Sequence, residues 1–145
     1  EAMKEQFGHQ YSQAAAIGTL IRHAITFAES PGLRTVDVME KLGCDNAAQV
    51  LAGAMYACLV SRGDFDAAMI TAVNHSGRSG AVGAVTGALL GARLGVEALP
   101  EFYLESLEPV DALMELGVDL TQARQTLSIF DDSWDQKYVQ GLPAN

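Results

Sequence analysis

The chain has 145 residues, 49% apolar and 19% charged, which suits one domain with a proper core and excludes a disordered tail. Its formal net charge is −9, and its nine Lys and Arg residues are scattered from Lys4 to Lys137. No basic stripe tracks a phosphate backbone, which argues against a nucleic-acid partner.

The elements follow in chain order from apolar spacing and from start and stop residues. Residues 10–30 carry Ile17, Leu20, Ile21, Ala24, Ile25 and Ala28 at helical spacing, and Ser30-Pro31-Gly32 ends that helix. Thr35 is placed to cap a short helix bearing Val36, Met39 and Leu42, with Gly43 to stop it. Asp45 or Asn46 then caps Ala47 to Val60, whose face is Ala48, Leu51, Ala52, Met55, Tyr56 and Leu59. Ser61-Arg62-Gly63 breaks the chain, and Asp64 opens a helix to about Val73 with Phe65, Ala68, Met69 and Ala72 on one side.

Next comes a polar loop, Asn74 to Gly80, feeding a helix with few large side chains. Glycines recur every fourth residue at Gly83, Gly87, Gly91 and Gly95, in one near-axial ridge. Each costs a helix interior roughly 1 kcal/mol relative to alanine, so close packing has to hold the segment, and it reads as the central buried helix. Pro100 and Pro109 sit at first helical positions, starting Glu101 to Leu107 and Val110 to Leu116, the latter stopped by Gly117. Asp119 or Thr121 caps a last helix, Leu120 to about Phe130. No stretch alternates with period two long enough for a strand, so the class is all-α. The acidic tail, residues 131–143, carries Trp134 and Tyr138, which are expected to pack back.

Cys44 and Cys58 show neither a disulfide framework nor zinc-ligand spacing, and read as reduced core thiols of a cytoplasmic protein. The longest apolar run, Ala81 to Ala92, falls short of the about 20 residues a membrane span needs, so no membrane partner is expected. Residues 1–10 are charged and polar and show no signal peptide. The chain starts at Glu1 rather than Met, which suggests a piece of something longer.

Most polar groups have an ordinary structural reading. His9 and His23 are single histidines without partners in spacing, Glu105 and Glu108 belong to a surface face, and Asp131, Asp132 and Asp135 lack the spacing of a calcium loop. His75 differs by position, because it adjoins Ser76, Gly77 and Ser79 at the mouth of the glycine helix. Free backbone N–H groups there suit an anion or a phosphate. The ordinary alternative is a helix-start loop with Ser79 as its N-cap.

The stretch from Ala72 to Pro100, A-V-N-H-S-G-R-S-G-A-V-G-A-V-T-G-A-L-L-G-A-R-L-G-V-E-A-L-P, resembles the carboxy-terminal signature of the ADP-ribosylglycohydrolases. Residues 63–72, with Asp64-Phe65-Asp66, resemble the helix leading into that signature, and Asp132 to Gly141 resembles the ending of bacterial members. The likeness covers about residues 45–143. It implies an all-α orthogonal helical bundle, either one helical domain over 1–145 or the carboxy-terminal part of a larger one. It also implies a pocket for ADP-ribose and hydrolysis of its glycosidic bond to a side chain, assisted by two magnesium ions.

The sequence departs from the family where those ions bind. Aligned through Gly77 and Gly83, Arg78 and Gly80 stand where the family has its two metal-binding Asp residues, and Ala81 stands where it has Ser or Thr. Nothing before Ala47 resembles the family's amino-terminal Thr-Asp-Asp type motif. The resemblance therefore implies a catalytically impaired relative with no metal ligand, no catalytic residue and no cofactor of its own. Asn74, His75, Ser76, Gly77, Arg78, Ser79 and Gly80 are its candidate contacts to ADP-ribose or a related nucleotide, with Arg78 as the cation in place of the metals. Two other readings stay open. One is a carboxy-terminal piece of an active hydrolase completed by an amino-terminal half. The other is a ligand-free helical interaction module that pairs as a homo-oligomer.

Overall fold

A computed structural model of the chain describes residues 14–105 and 107–122. Among these residues the secondary structure is helical throughout, with no strand, as the missing two-residue alternation predicts. The acidic tail, its two aromatics and His9 lie outside the described residues.

The first compact unit runs to Glu101 and holds five helices. Helix α1, Ala14–Glu29, buries Ala24 and lays Leu20, Phe27 and Ala28 against the core, while Ile25 stays exposed. It stops at Ser30, whose N–H bonds to the Phe27 carbonyl and whose hydroxyl donates to Thr26 O at 2.7 Å. Helix α2, Thr35–Leu42, starts one residue earlier than the capping pattern predicts. Arg34 takes the N-cap position with no capping side chain, and Thr35 is already helical. Its guanidinium instead grips Asp37 through two bonds of 2.7 Å. The buried side chains are Val38, Met39 and Leu42, not the expected Val36. Gly43 stops the helix in a left-handed conformation, φ 86°, its N–H returning to Met39 O.

Helix α3, Ala47–Val60, resolves the choice of cap in favour of Asn46. The Gln49 N–H donates to Asn46 Oδ1 at 3.1 Å, and the Asn46 N–H donates to Gln49 Oε1 at 3.3 Å, a reciprocal capping box. This helix, rather than the glycine-rich one, is the centre of the unit, since it packs against α1, α2 and the two helices that follow. Val50, Ala52, Gly53, Ala54, Tyr56 and Ala57 are all buried. A helix with neighbours on several sides has no single apolar stripe, which is why the predicted face, with the exposed Leu59, was only partly right.

A tight turn with Arg62 at φ 55° and Gly63 at φ 97° leads to helix α4, Phe65–Val73. Asp64 caps it as predicted, accepting the Ala67 N–H at 2.9 Å, and Ala68, Thr71 and Ala72 are buried. Helix α5, Ser79–Leu94, packs on α3 and α4 through Val82, Gly83, Thr86 and Leu90. The expectation of a fully buried glycine ridge is corrected here. Only Gly83 meets a close neighbour, with a β-carbon there falling 3.1 Å from Val73 Cγ1, whereas at Gly87 and Gly91 it would meet nothing within 4 Å. Positions four apart turn about 40° per step on a helix of 3.6 residues per turn, so the ridge winds off the buried face. Gly95, at φ 78°, ends the helix, and a 3-10 turn, Val96–Ala98, follows.

The second unit begins at Phe102. Helix α6, Glu101–Glu105, is shorter than predicted, and the Phe102 and Tyr103 rings lie 4.1 Å apart. Helix α7, Val110–Gln122, runs straight through Gly117. Gly117 therefore does not end the helix, and Asp119 and Thr121 lie inside it rather than capping a second, while the rest of the expected last helix, residues 123–130, lies outside the described residues. A glycine that keeps right-handed geometry costs a helix only about 1 kcal/mol and does not end it. The Thr121 hydroxyl donates back to Val118 O at 2.7 Å, as an interior threonine does.

Candidate functional site

Residues 74–78 join α4 to α5, and each has a definite partner or fit. Asn74 ends α4 with its amide turned back, Nδ2–H donating to Ile70 O at 2.7 Å. The Gly77 N–H points at His75 Nδ1 at 3.1 Å, so that nitrogen must be the acceptor. The proton then sits on Nε2, which donates to Ala72 O at 2.9 Å. His75 is thus a neutral staple across the end of α4, with both ring nitrogens engaged.

Ser76 is held from another element. Its N–H donates to Glu40 Oε1 at 2.7 Å and its hydroxyl donates to Glu40 Oε2, a contact spanning 36 positions of sequence. These bonds hold the Glu40 carboxyl below its ordinary pKa, the hydroxyl contributing most and the N–H next. Gly77 follows with no room to spare. A β-carbon there would lie 2.7 Å from Gly43 O and 2.9 Å from Cys44 Cβ. The Arg78 N–H donates to Cys44 O at 3.0 Å, and the Ser79 N–H donates to Gly77 O at 2.8 Å.

The other wall is the α2–α3 turn. Cys44 adopts a left-handed backbone, φ 52°, uncommon for a residue with a side chain, and this conformation accompanies a carbonyl directed to Arg78. Its thiol is fully buried, and burial pushes its pKa to about 11, with Asp45 and Glu40 adding to the effect. Such a thiol is inert rather than nucleophilic. Cys58 is likewise free, and burial raises its pKa as well.

The structure therefore gathers Asn74 through Gly80 at one place, but its backbone donors from Ser76 to Ser79 bond within the protein. What faces outward is the exposed Arg78, which forms no ion pair with any described carboxylate, and the exposed Gly80 at the start of α5. Ser79 does not cap the helix. Arg78 holds that position without a side-chain cap bond, and Ser79 is the first helical residue. His23 is exposed and leans on Phe27, ring centroids 6.1 Å apart, a surface packing role. Glu105 and Glu108 are exposed, in keeping with a solvated face. Asp131, Asp132 and Asp135 lie outside the described residues. Among the described residues no three His, Cys, Asp or Glu side chains converge as a metal site would require.

Sequence reasoning missed two participants, Glu40 and Cys44. Glu40 is a polar residue on the exposed side of an amphipathic helix, and no spacing distinguishes it from its neighbours. Cys44 contributes its carbonyl, which carries no side-chain signature at all.

A family model described as ADP-ribosylglycohydrolase matches residues 1–128. It reaches further toward the amino terminus than the residues that carry the resemblance, and it stops before the acidic tail. No curated protein and no solved structure matches the chain.

Proposed function

The chain belongs to the ADP-ribosylglycohydrolase family, and on that footing we propose that it binds ADP-ribose or a related nucleoside diphosphate without metal-assisted hydrolysis. The donor set supports this reading. The family resemblance calls for two magnesium ions held by oxygen ligands, and magnesium demands near-octahedral oxygen coordination. At the three ligand positions this chain has a guanidinium, a hydrogen and a methyl group, on Arg78, Gly80 and Ala81. None offers an oxygen, and the guanidinium adds positive charge where dications would sit. These three side chains do not fit the metals.

The observation that carries the proposal is the placement of Arg78. Its backbone is fixed by the bond to Cys44 O at the first turn of α5, while its side chain remains exposed and unpaired with any described carboxylate. On a protein of net charge −9, an anionic ligand needs a local cation. A guanidinium answers a diphosphate with a planar, two-pronged set of donors, and the positive end of α5 adds to it.

Calorimetric titration of ADP-ribose tests the reading. Binding is expected with the same affinity in excess magnesium and in chelator, and Arg78→Ala is expected to weaken it about a hundredfold, the scale of a lost charged partner. Absence of binding, or binding only with magnesium, would overturn the proposal.

A further inference from the structure

We propose that Glu40 is a positioning residue of the α4–α5 loop, holding Ser76 so that Arg78 is presented to its ligand in one orientation. The inference rests on the nucleotide-binding reading above and names a residue far from the loop in sequence. An exposed glutamate on a helix is ordinarily solvated. Glu40 instead spends both carboxylate oxygens on one residue, taking the N–H and the hydroxyl of Ser76. Two charge-assisted bonds to one partner fix direction as well as distance.

Two residues later the chain is fastened again, by the Arg78 N–H on Cys44 O. Between these posts Gly77 lies against Gly43 O and Cys44 Cβ with no space for a side chain. Both posts belong to residues 40–44, so the end of α2 and the turn after it form a rigid seat for Ser76-Gly77-Arg78. Removing the Glu40 carboxylate leaves the Cys44 post and the His75 staple in place. The fold persists, but Ser76 is free to move, and the ordering of Arg78 is then lost from the free protein and must be recovered on binding.

A double-mutant cycle on the full chain, read by ADP-ribose titration, tests this. Glu40→Ala, which removes both bonds, is expected to weaken binding about tenfold, Ser76→Ala, which keeps the backbone N–H bond, by less, and the double variant no further than Glu40→Ala. Additive losses, or unchanged affinity in Glu40→Ala, would refute the proposal. Glu40→Gln separates positioning from charge. Removing a negative charge beside an anionic ligand strengthens binding if charge alone matters, whereas a positioning role predicts an affinity between those of Glu40→Ala and the unaltered protein, because the amide keeps only neutral bonds to Ser76, its oxygen accepting the N–H and its NH2 donating to the hydroxyl. If the unaltered protein fails to bind ADP-ribose, the nucleotide-binding reading falls, and amide exchange at Ser76 and Gly77 still decides the role of Glu40. Faster exchange there in Glu40→Ala supports positioning, and equal exchange rejects it.

Discussion

The Glu40 carboxyl is held below its ordinary pKa by the Ser76 hydroxyl first and the Ser76 N–H second, and this has a pH signature. A carboxyl whose pKa is lower in the folded state stabilises the fold above its unfolded pKa. That contribution is lost as pH falls through the folded pKa. Stability measured down the acid limb is therefore expected to fall less steeply in Glu40→Gln than in the unaltered protein. Identical slopes would show that the Ser76 bonds contribute nothing in solution. At this scale the sequence singled out the Asn74–Gly80 loop but misread its backbone donors as free. Free N–H groups at a helix start suit an anion, yet here Glu40, His75, Cys44 O and Gly77 O satisfy those of Ser76 to Ser79. Spacing cannot show which distant acceptor arrives first.

Among the helices, the contrast lies between α3 and α5. Gly53 of α3 is wholly enclosed, and a β-carbon there would fall 2.7 Å from Cys44 Sγ and 3.2 Å from Met39 Cε. Gly87 of α5 has open space where its β-carbon would be. Gly53→Ala is expected to destabilise the protein by about 1–3 kcal/mol through overpacking. Gly87→Ala is expected to stabilise it by up to about 1 kcal/mol, because alanine is the better helix former and meets no neighbour. Denaturant unfolding of both variants measures the difference, and equal effects would refute the assignment of α3 as the tightly packed helix. The caps show what local chemistry can settle. Asp64 and Gly43 act where the sequence put them, because a cap bonds within three or four residues. Thr35 and Ser79 do not cap, since Arg34 and Arg78 stand at those N-cap positions and are held by other contacts, Arg34 to Asp37 and Arg78 to Cys44 O.

At the scale of the whole molecule, burial among the described residues is concentrated in the first unit. Tyr56, Met39, Leu90, Val82, Thr86 and Cys44 are its largest fully buried side chains, whereas α7 exposes Leu113 at 50% and Val118 at 53%. Amides open locally where few apolar contacts hold them and only globally in the core. Hydrogen exchange is therefore expected to be slowest at Ala52–Ala57 of α3 and faster by orders of magnitude at Leu113–Val118 of α7. Comparable protection in the two helices would contradict that distribution. The all-α class, the Asp64 and Gly43 boundaries and the family signature from Ala72 to Pro100 were determined by the sequence alone. Each depends on residues near in the chain, where periodicity, capping and motif act. The tertiary structure decided that α3 rather than the glycine helix is central, and that Gly53 and Gly77 have no room for a side chain. It also decided that Glu40 reaches 36 positions along the chain to hold Ser76. These follow from which surfaces meet in space, a property of the packed chain that no local pattern encodes.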